Sequence, residues 1–191
     1  CINAATGAAS LGSAAFAHKL VTLQGKSNSG EYAAVSLLQN LGEAALWARK
    51  PGTMNMLWGG LKRPEDLDFK CCKRFGVSPT ELGEALARRW ELPPQVVKAQ
   101  RPHNSFDPNA QLPLLAASLS WAVINDWQSE ETVQLMELAA VLIHLDPDMV
   151  RVQILRVAAE TARTAYAMGL TQGSERLLLS LQQDVDDADQ A

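Results

Sequence analysis

The sequence predicts an all-α protein, a compact multi-helix bundle with no β-sheet. Three observations carry that reading. Ala and Leu are plentiful in a chain that is 47% hydrophobic and only 6% aromatic, a balance that favours helix over sheet. Apolar residues recur at helical spacing, and no segment shows the strict alternation of a half-buried strand. Helix start and stop signals punctuate the chain at short intervals.

The elements follow in order. Ala4 to Val21 is small and apolar and reads as a helix interrupted only by Gly7 and Gly12. Gly25 to Gly30 is a polar loop. Glu31 to Ala48 is apolar nearly all round and reads as one buried helix. Pro51 to Arg63, with its Pro and Gly59-Gly60, reads as a loop whose Met54, Met56, Leu57 and Trp58 form a candidate sticky surface. Ser78-Pro79-Thr80-Glu81 is a capping box with Pro at the first helical position, opening a helix that runs to about Trp90. Leu92-Pro93-Pro94 stops it and starts a short one. Arg101 to Pro113 reads as a loop with Pro102, Pro108 and Pro113 in it. Leu112, Leu115, Leu119 and Val123 then form an apolar helical stripe that ends at Trp127. Ser129 caps a helix from Glu130 to His144, and Asp146-Pro147 caps the longest one, to about Gly169. In that helix Val150, Ile154, Val157 and Thr161 face inward. Arg151, Arg156, Glu160 and Arg163 face water, with Arg156 and Glu160 spaced for an i,i+4 contact. The acidic tail from Asp184 to Ala191 reads as frayed.

Totals narrow the classes of function. A core this apolar needs no staples. With a net charge of -4 and a pI near 5.4, there is no basic surplus to neutralise a phosphate backbone or an anionic bilayer, so neither nucleic acid nor membrane is an expected partner. No stretch has the length of a membrane span. Cys1, Cys71 and Cys72 are odd in number and include a vicinal pair, which reads as reduced thiols in a cytoplasmic protein rather than a disulfide framework. The chain opens on Cys1 with no initiator Met, and the expectation is that an N-terminal region is missing.

Few residues carry chemistry. There is no Gly-x-Ser-x-Gly elbow, no phosphate-cradling Gly-rich loop and no His-x-x-x-His pair. Lys70 and Lys73 flank Cys71-Cys72 and would lower a thiol pKa; the plainer reading is two ordinary thiols, one of them in the core. His18, His103 and His144 are the only imidazoles. His144 and Asp146 resemble a ligand pair, but Asp146 serves better as a cap. The informative segment is Ser36 to Ala44, where the adjacent amides Gln39 and Asn40 interrupt an apolar helix. A buried amide without partners costs about 1–3 kcal/mol. Ser36, Asn40 and Glu43 share one helical face, so a polar stripe accounts for Asn40. Gln39 stands about 100° away from it.

The same segment resembles the helix that reads Gly-Leu-Leu-His-Asp-Ile-Gly-Lys in HD-superfamily phosphohydrolases, with Gln39-Asn40 standing where His-Asp would be. A more specific resemblance is carried by Phe75-Gly76, by Leu82-Gly83-Glu84-Ala85-Leu86-Ala87, and by Trp90-Glu91-Leu92-Pro93. These are similar to the signature block of the HDOD family, the HD-related output domain of bacterial signalling proteins. The likeness runs over residues 10 to 127. Gly12-Ser13 and Ala17 resemble the His-Ser-x-x-x-Ala start of that domain, with Gly12 replacing the first metal-binding His. His103 falls near its His-His pair, with Asn104 replacing the second.

The resemblance implies an HD-like domain over 1–127, the C-terminal half of a longer HDOD module, with a helical extension over 128–170 packed on it and a short helix and acidic tail over 171–191. It also implies a degenerate site. An HD centre needs imidazoles and carboxylates around one or two divalent ions that activate water, and neutral amides are weak ligands. Gly12, Gln39, Asn40 and His103 then mark the degenerate positions, with no metal, no cofactor and no catalysis, and the residual groove of Gln39, Asn40 and His103 either binds a small ligand or is vestigial. The expected function is a non-catalytic domain for protein interaction or output in bacterial signal transduction, often beside receiver or cyclic-di-GMP modules. Its expected partners are other signalling proteins, and a homodimer is allowed. Two alternatives stand beside it: a divergent metal-dependent phosphohydrolase, and a ligand-free helical dimerisation scaffold.

Overall fold

A computed structural model describes residues 4–59, 61, 66–101, 107–171, 174–175 and 178. Among these there is no strand. The elements are α1 (Ala4–Leu23), α2 (Ser29–Leu37), a 3₁₀ turn (Leu38–Asn40), α3 (Leu41–Arg49), α4 (Pro51–Gly59), α5 (Asp66–Phe75), α6 (Pro79–Arg89), α7 (Pro94–Ala99), α8 (Pro108–Asn125), α9 (Glu130–Ile143) and α10 (Pro147–Ala167). Cys1, His103, Asn104 and the acidic tail lie outside the described residues.

The caps work as the sequence predicts. Ser78 and Glu81 form a reciprocal capping box on α6. Ser129 accepts from the Thr132 N–H, and Asp146 from the Asp148 N–H. Asp68 adds a second lid on α6, accepting from the Thr80 N–H at 3.2 Å and from its hydroxyl.

Two helix ends share one construction. Trp90-Glu91-Leu92-Pro93-Pro94 ends α6 and begins α7; Ile143-His144-Leu145-Asp146-Pro147 ends α9 and begins α10. In each, the second residue takes a left-handed backbone, Glu91 at φ 53° and His144 at φ 57°. The following Leu then donates its N–H back to Ala87 or Ala140. This is the Schellman stop, in which glycine is the usual left-handed residue. The Trp-x-Leu-Pro signature is therefore a helix-reversal device, and His144 holds a turn position on the surface.

Four expectations fail. Residues 31–48 are not one helix: the chain breaks at Leu38–Asn40. Residues 51–63 are not all loop: Pro51 starts α4, and Met54, Leu57 and Trp58 turn inward at helical spacing. Met54 is completely buried, so of the predicted sticky surface Met56 alone is strongly exposed, at 65%. The loop after Arg101 ends earlier than expected, because Pro108 begins α8 and Pro113 lies inside it. An internal Pro removes one helical hydrogen bond; here its buried ring and the Leu112, Leu115 and Leu119 stripe offset that loss. The expected Arg156–Glu160 contact is also not among the ion pairs of the described residues.

The largest core joins α1, α8, α9 and α10 around Phe16, Leu20, Leu119, Val123, Ile154 and Trp127. This core spans position 127/128, with α9 and α10 packed on α1 and α8. A second cluster gathers Leu46, Trp47, Met54, Leu67 and Cys71 from α3, α4 and α5, and a third gathers Val35, Ala87, Val96 and Ala99 from α2, α6 and α7. Helices α3 and α6 meet backbone to backbone at Gly42 and Gly83. A Cβ on Gly42 would come within 3.0 Å of α6 backbone atoms.

That contact yields a paired prediction for urea unfolding. Gly42→Ala should lose about 3 kcal/mol through overpacking against backbone that cannot yield. His144→Gly should gain about 0.5–1 kcal/mol by relieving the left-handed strain.

Candidate functional site

The polar residues of the 3₁₀ turn and α3 are spent on α1. Asn40 Nδ2 donates to Ser10 Oγ at 3.3 Å, and Thr6 Oγ1 donates to Glu43 Oε1 at 2.8 Å. Thr6 and Ser10 are one turn apart on α1, and Asn40 and Glu43 one turn apart on the facing segment, so the two bonds are successive rungs. Ser13 and Ser36 follow in the same register. Both are buried, and neither hydroxyl has a hydrogen-bond partner among the described residues.

Glu43 is the most connected group here. Its Oε1 also accepts from Trp47 Nε1 at 3.0 Å. Trp47 stands edge-on to Trp58 at 6.4 Å between ring centres, and Trp58 edge-on to Trp121 at 5.3 Å. The Trp ladder thus runs from α3 through α4 to α8 and ties the second core to the first. Burial pushes the Glu43 carboxyl above its ordinary value; the bonds from Thr6 and Trp47 oppose that, and the Asp68 charge adds to it. Burial, with Asp68 and Glu43 nearby, likewise pushes the Cys71 thiol up to about 11. Cys71 is completely buried, with its sulfur 4.0 Å from that of Met54. The flanking lysines do not activate it.

Gln39 is half-buried. Its Oε1 is shielded from water and has no partner among the described residues. The backbone beside it is pinned from the other side: the Leu38 carbonyl accepts from Gln100 Nε2 at 2.9 Å, and Gln100 is itself buried at the end of α7. The turn is thus held by α1 on one side and α7 on the other.

Gly12 does not join this group. A Cβ there would collide with Ser120 Oγ, with Thr161 next beyond it, because α1 and α8 approach closely at that point. Ser120 Oγ is already engaged, donating to the Ala9 carbonyl at 2.9 Å. Ser10 and Gly12, two residues apart, face directions about 200° apart on a helix, so the Gly12 side of α1 turns away from Asn40. His18 and His144 are exposed. No group of three His, Cys, Asp or Glu side chains gathers as a metal site among the described residues. An open groove lined by Arg88, Leu92, Pro94, Val97 and Lys98 runs over α6 and α7; neither Gln39 nor Asn40 lines it.

The family model described as HDOD domain matches residues 5–106, more than half of the 191. The chain belongs to the HDOD domain family. No curated protein and no solved structure matches it. The matched span takes in α1 through α7, hence both rungs, the 3₁₀ turn and the Gly42–Gly83 crossing. HDOD is an HD-related domain of the class associated with signal transduction. The large core, however, is completed by α8, α9 and α10, outside the matched span.

An HD-type metal centre does not fit these residues. Gly12 brings no ligand and a Cβ there would meet the Ser120 hydroxyl, the Asn40 amide is engaged by Ser10, and Gln39 brings only a neutral oxygen. The residues that sequence reasoning undervalued are Thr6, Glu43 and Trp47. Glu43 was visible as a member of a polar stripe and Trp47 lies one turn along the same helix, but Thr6 on α1 carries no local signal.

The raised Glu43 pKa has a pH signature. The folded state holds this proton more tightly than the unfolded chain, so the associated stability is full below pH 4.5 and is lost as pH rises through the raised folded value. Glu43→Gln keeps an acceptor for Thr6 and Trp47 and removes the titration. At pH 7.5 it should be at least as stable as the wild type, with the gap closing as pH falls toward 4.5. Urea titrations across this range check it; a less stable variant with a pH-independent gap contradicts it.

Proposed function

We infer that this chain is a non-catalytic interaction or output domain of bacterial signal transduction, built on an HD-type scaffold whose metal-binding positions have been turned to helix packing. The observation that carries this reading is the Asn40–Ser10 and Glu43–Thr6 pair of rungs. They place the amide of the His-Asp position in a structural bond between α1 and the turn. The closed α1–α8 contact at Gly12 supports it from a second position. His103, the remaining candidate, lies outside the described residues.

In this reading the domain works through its surface. Other signalling proteins, including receiver or cyclic-di-GMP modules, are its natural partners, and its setting is cytoplasmic. No helix among the described residues is long and apolar enough to cross a membrane. The groove lined by Arg88, Leu92, Pro94, Val97 and Lys98 offers one such surface.

The test is turnover. Purified protein with Mn²⁺ should hydrolyse neither bis-p-nitrophenyl phosphate nor a cyclic dinucleotide above the buffer rate, and Gln39→His/Asn40→Asp should remain inactive because Gly12 still offers no ligand. Chelator-sensitive hydrolysis by the wild-type chain would overturn the reading in favour of a divergent phosphohydrolase.

A further inference from the structure

Helices α9 and α10 form a hairpin that turns one side into the large core, through Met136, Ala140 and Ile143 on α9 and Val150, Ile154 and Val157 on α10. Its other side is unusually apolar near the turn. Leu138 is 46% exposed, Val141 68%, Met149 55% and Val152 51%. Single exposed apolar residues are ordinary, but four gathered on one hairpin end mark a contact surface.

Charge identifies what the surface fits. Farther from the turn, the outer face of α9 carries Glu130 and Glu137 and that of α10 carries Arg156 and Arg163, all exposed. None of the four is in an ion pair among the described residues. At a rise of about 1.5 Å per residue, Glu137 and Arg156 both lie roughly 12–15 Å from the turn, and Glu130 and Arg163 roughly 23–26 Å. Glu160 is offset by about 40–60° from the line of the two arginines. The face therefore carries Glu130 and Glu137 along α9 and Arg156 and Arg163 along α10, with Glu160 to one side of the arginines, an apolar patch beside the turn, and the opposite charges of the two pairs at matching heights.

A surface with that pattern complements itself. We propose that the outer face of the α9–α10 hairpin binds a second copy of this chain, about a twofold axis parallel to the hairpin, so that each α9 packs against the other copy's α10. The apolar four then meet the apolar four, Glu137 meets the second copy's Arg156, and Glu130 meets its Arg163. The product is a four-helix arrangement across an isologous interface. Two helices of this length and spacing cover roughly 450 Å² on each copy, the low end for a specific interface, so the dimer dissociates in the micromolar range. This inference does not depend on whether the HD-type site is silent.

Sedimentation of the full 191-residue chain over roughly 5–500 µM tests it. The wild type should pass from monomer to dimer. Val141→Asp, Glu137→Arg and Arg156→Glu should each weaken association by about tenfold or more, with unchanged helical circular dichroism and melting temperature showing that the fold is intact. The combined Glu137→Arg/Arg156→Glu variant, which restores opposite charges across the twofold axis, should recover association to within about threefold of wild type. A wild-type chain monomeric at the highest concentration, including one that associates only with a different protein, overturns the proposal. So does a dimer indifferent to the single reversals, or a combined variant weaker than either.

Discussion

The carboxylate of Glu43 is the joint on which this architecture turns. One oxygen accepts from Thr6 on α1 and from Trp47 on α3, and Trp47 begins the edge-on ladder through Trp58 to Trp121. The bundle around α1 and the smaller cluster of α3, α4 and α5 are separate cores. What couples them is this hydrogen-bonded carboxylate and the aromatic contacts it orients. A half-buried acid is an expensive joint, since burial raises its pKa and opposes the charged form. Its two donors offset part of that cost, and they specify a register between α1 and α3 that apolar contacts alone would leave loose.

The same register explains the 3₁₀ turn. Gly42 must lie against Gly83 with nothing between the backbones, and Gln100 must reach the Leu38 carbonyl. In a continuous helix from Glu31 to Ala48 that carbonyl would accept from the residue four along; in the turn it accepts from the Leu41 N–H, three along, as well as from Gln100. The chain instead tightens at Leu38–Asn40, and Asn40 swings onto Ser10. At the turn the Asn40 amide is engaged by Ser10 on α1, while the Gln39 side-chain oxygen has no partner among the described residues.

Much of the fold was legible because its signals are local. The capping box of α6, the N-caps of α9 and α10, the Pro at helix starts and the inward faces of α8 and α10 all follow from residues within a turn of one another. The signature block around Trp90 was recognisable for the same reason, and its meaning, a Schellman stop before a Pro-started helix, is local too. Three features were hidden because their causes are distant. Helix α4 exists because Met54 and Trp58 have a core to enter, and Trp121 stands far along the chain. The break at Leu38–Asn40 depends on Gln100 and Gly83. At the site, Asn40 was readable as part of a polar stripe, yet Thr6 and Ser10, which give the stripe its purpose, look like ordinary small residues of an Ala-rich helix.

The proposal to test is that Asn40 serves the contact with Ser10 and that Gln39 and Asn40 together hold no metal ion. The most direct measurement is a titration of uniformly ¹⁵N-labelled protein with Mn²⁺, following the side-chain amide signals. A paramagnetic ion broadens signals of nuclei close to where it binds. The account predicts that Asn40 and Gln39 broaden no more than Asn55, an exposed amide on α4. Selective loss of the Asn40 and Gln39 signals at equimolar Mn²⁺, with Asn55 retained, would contradict it.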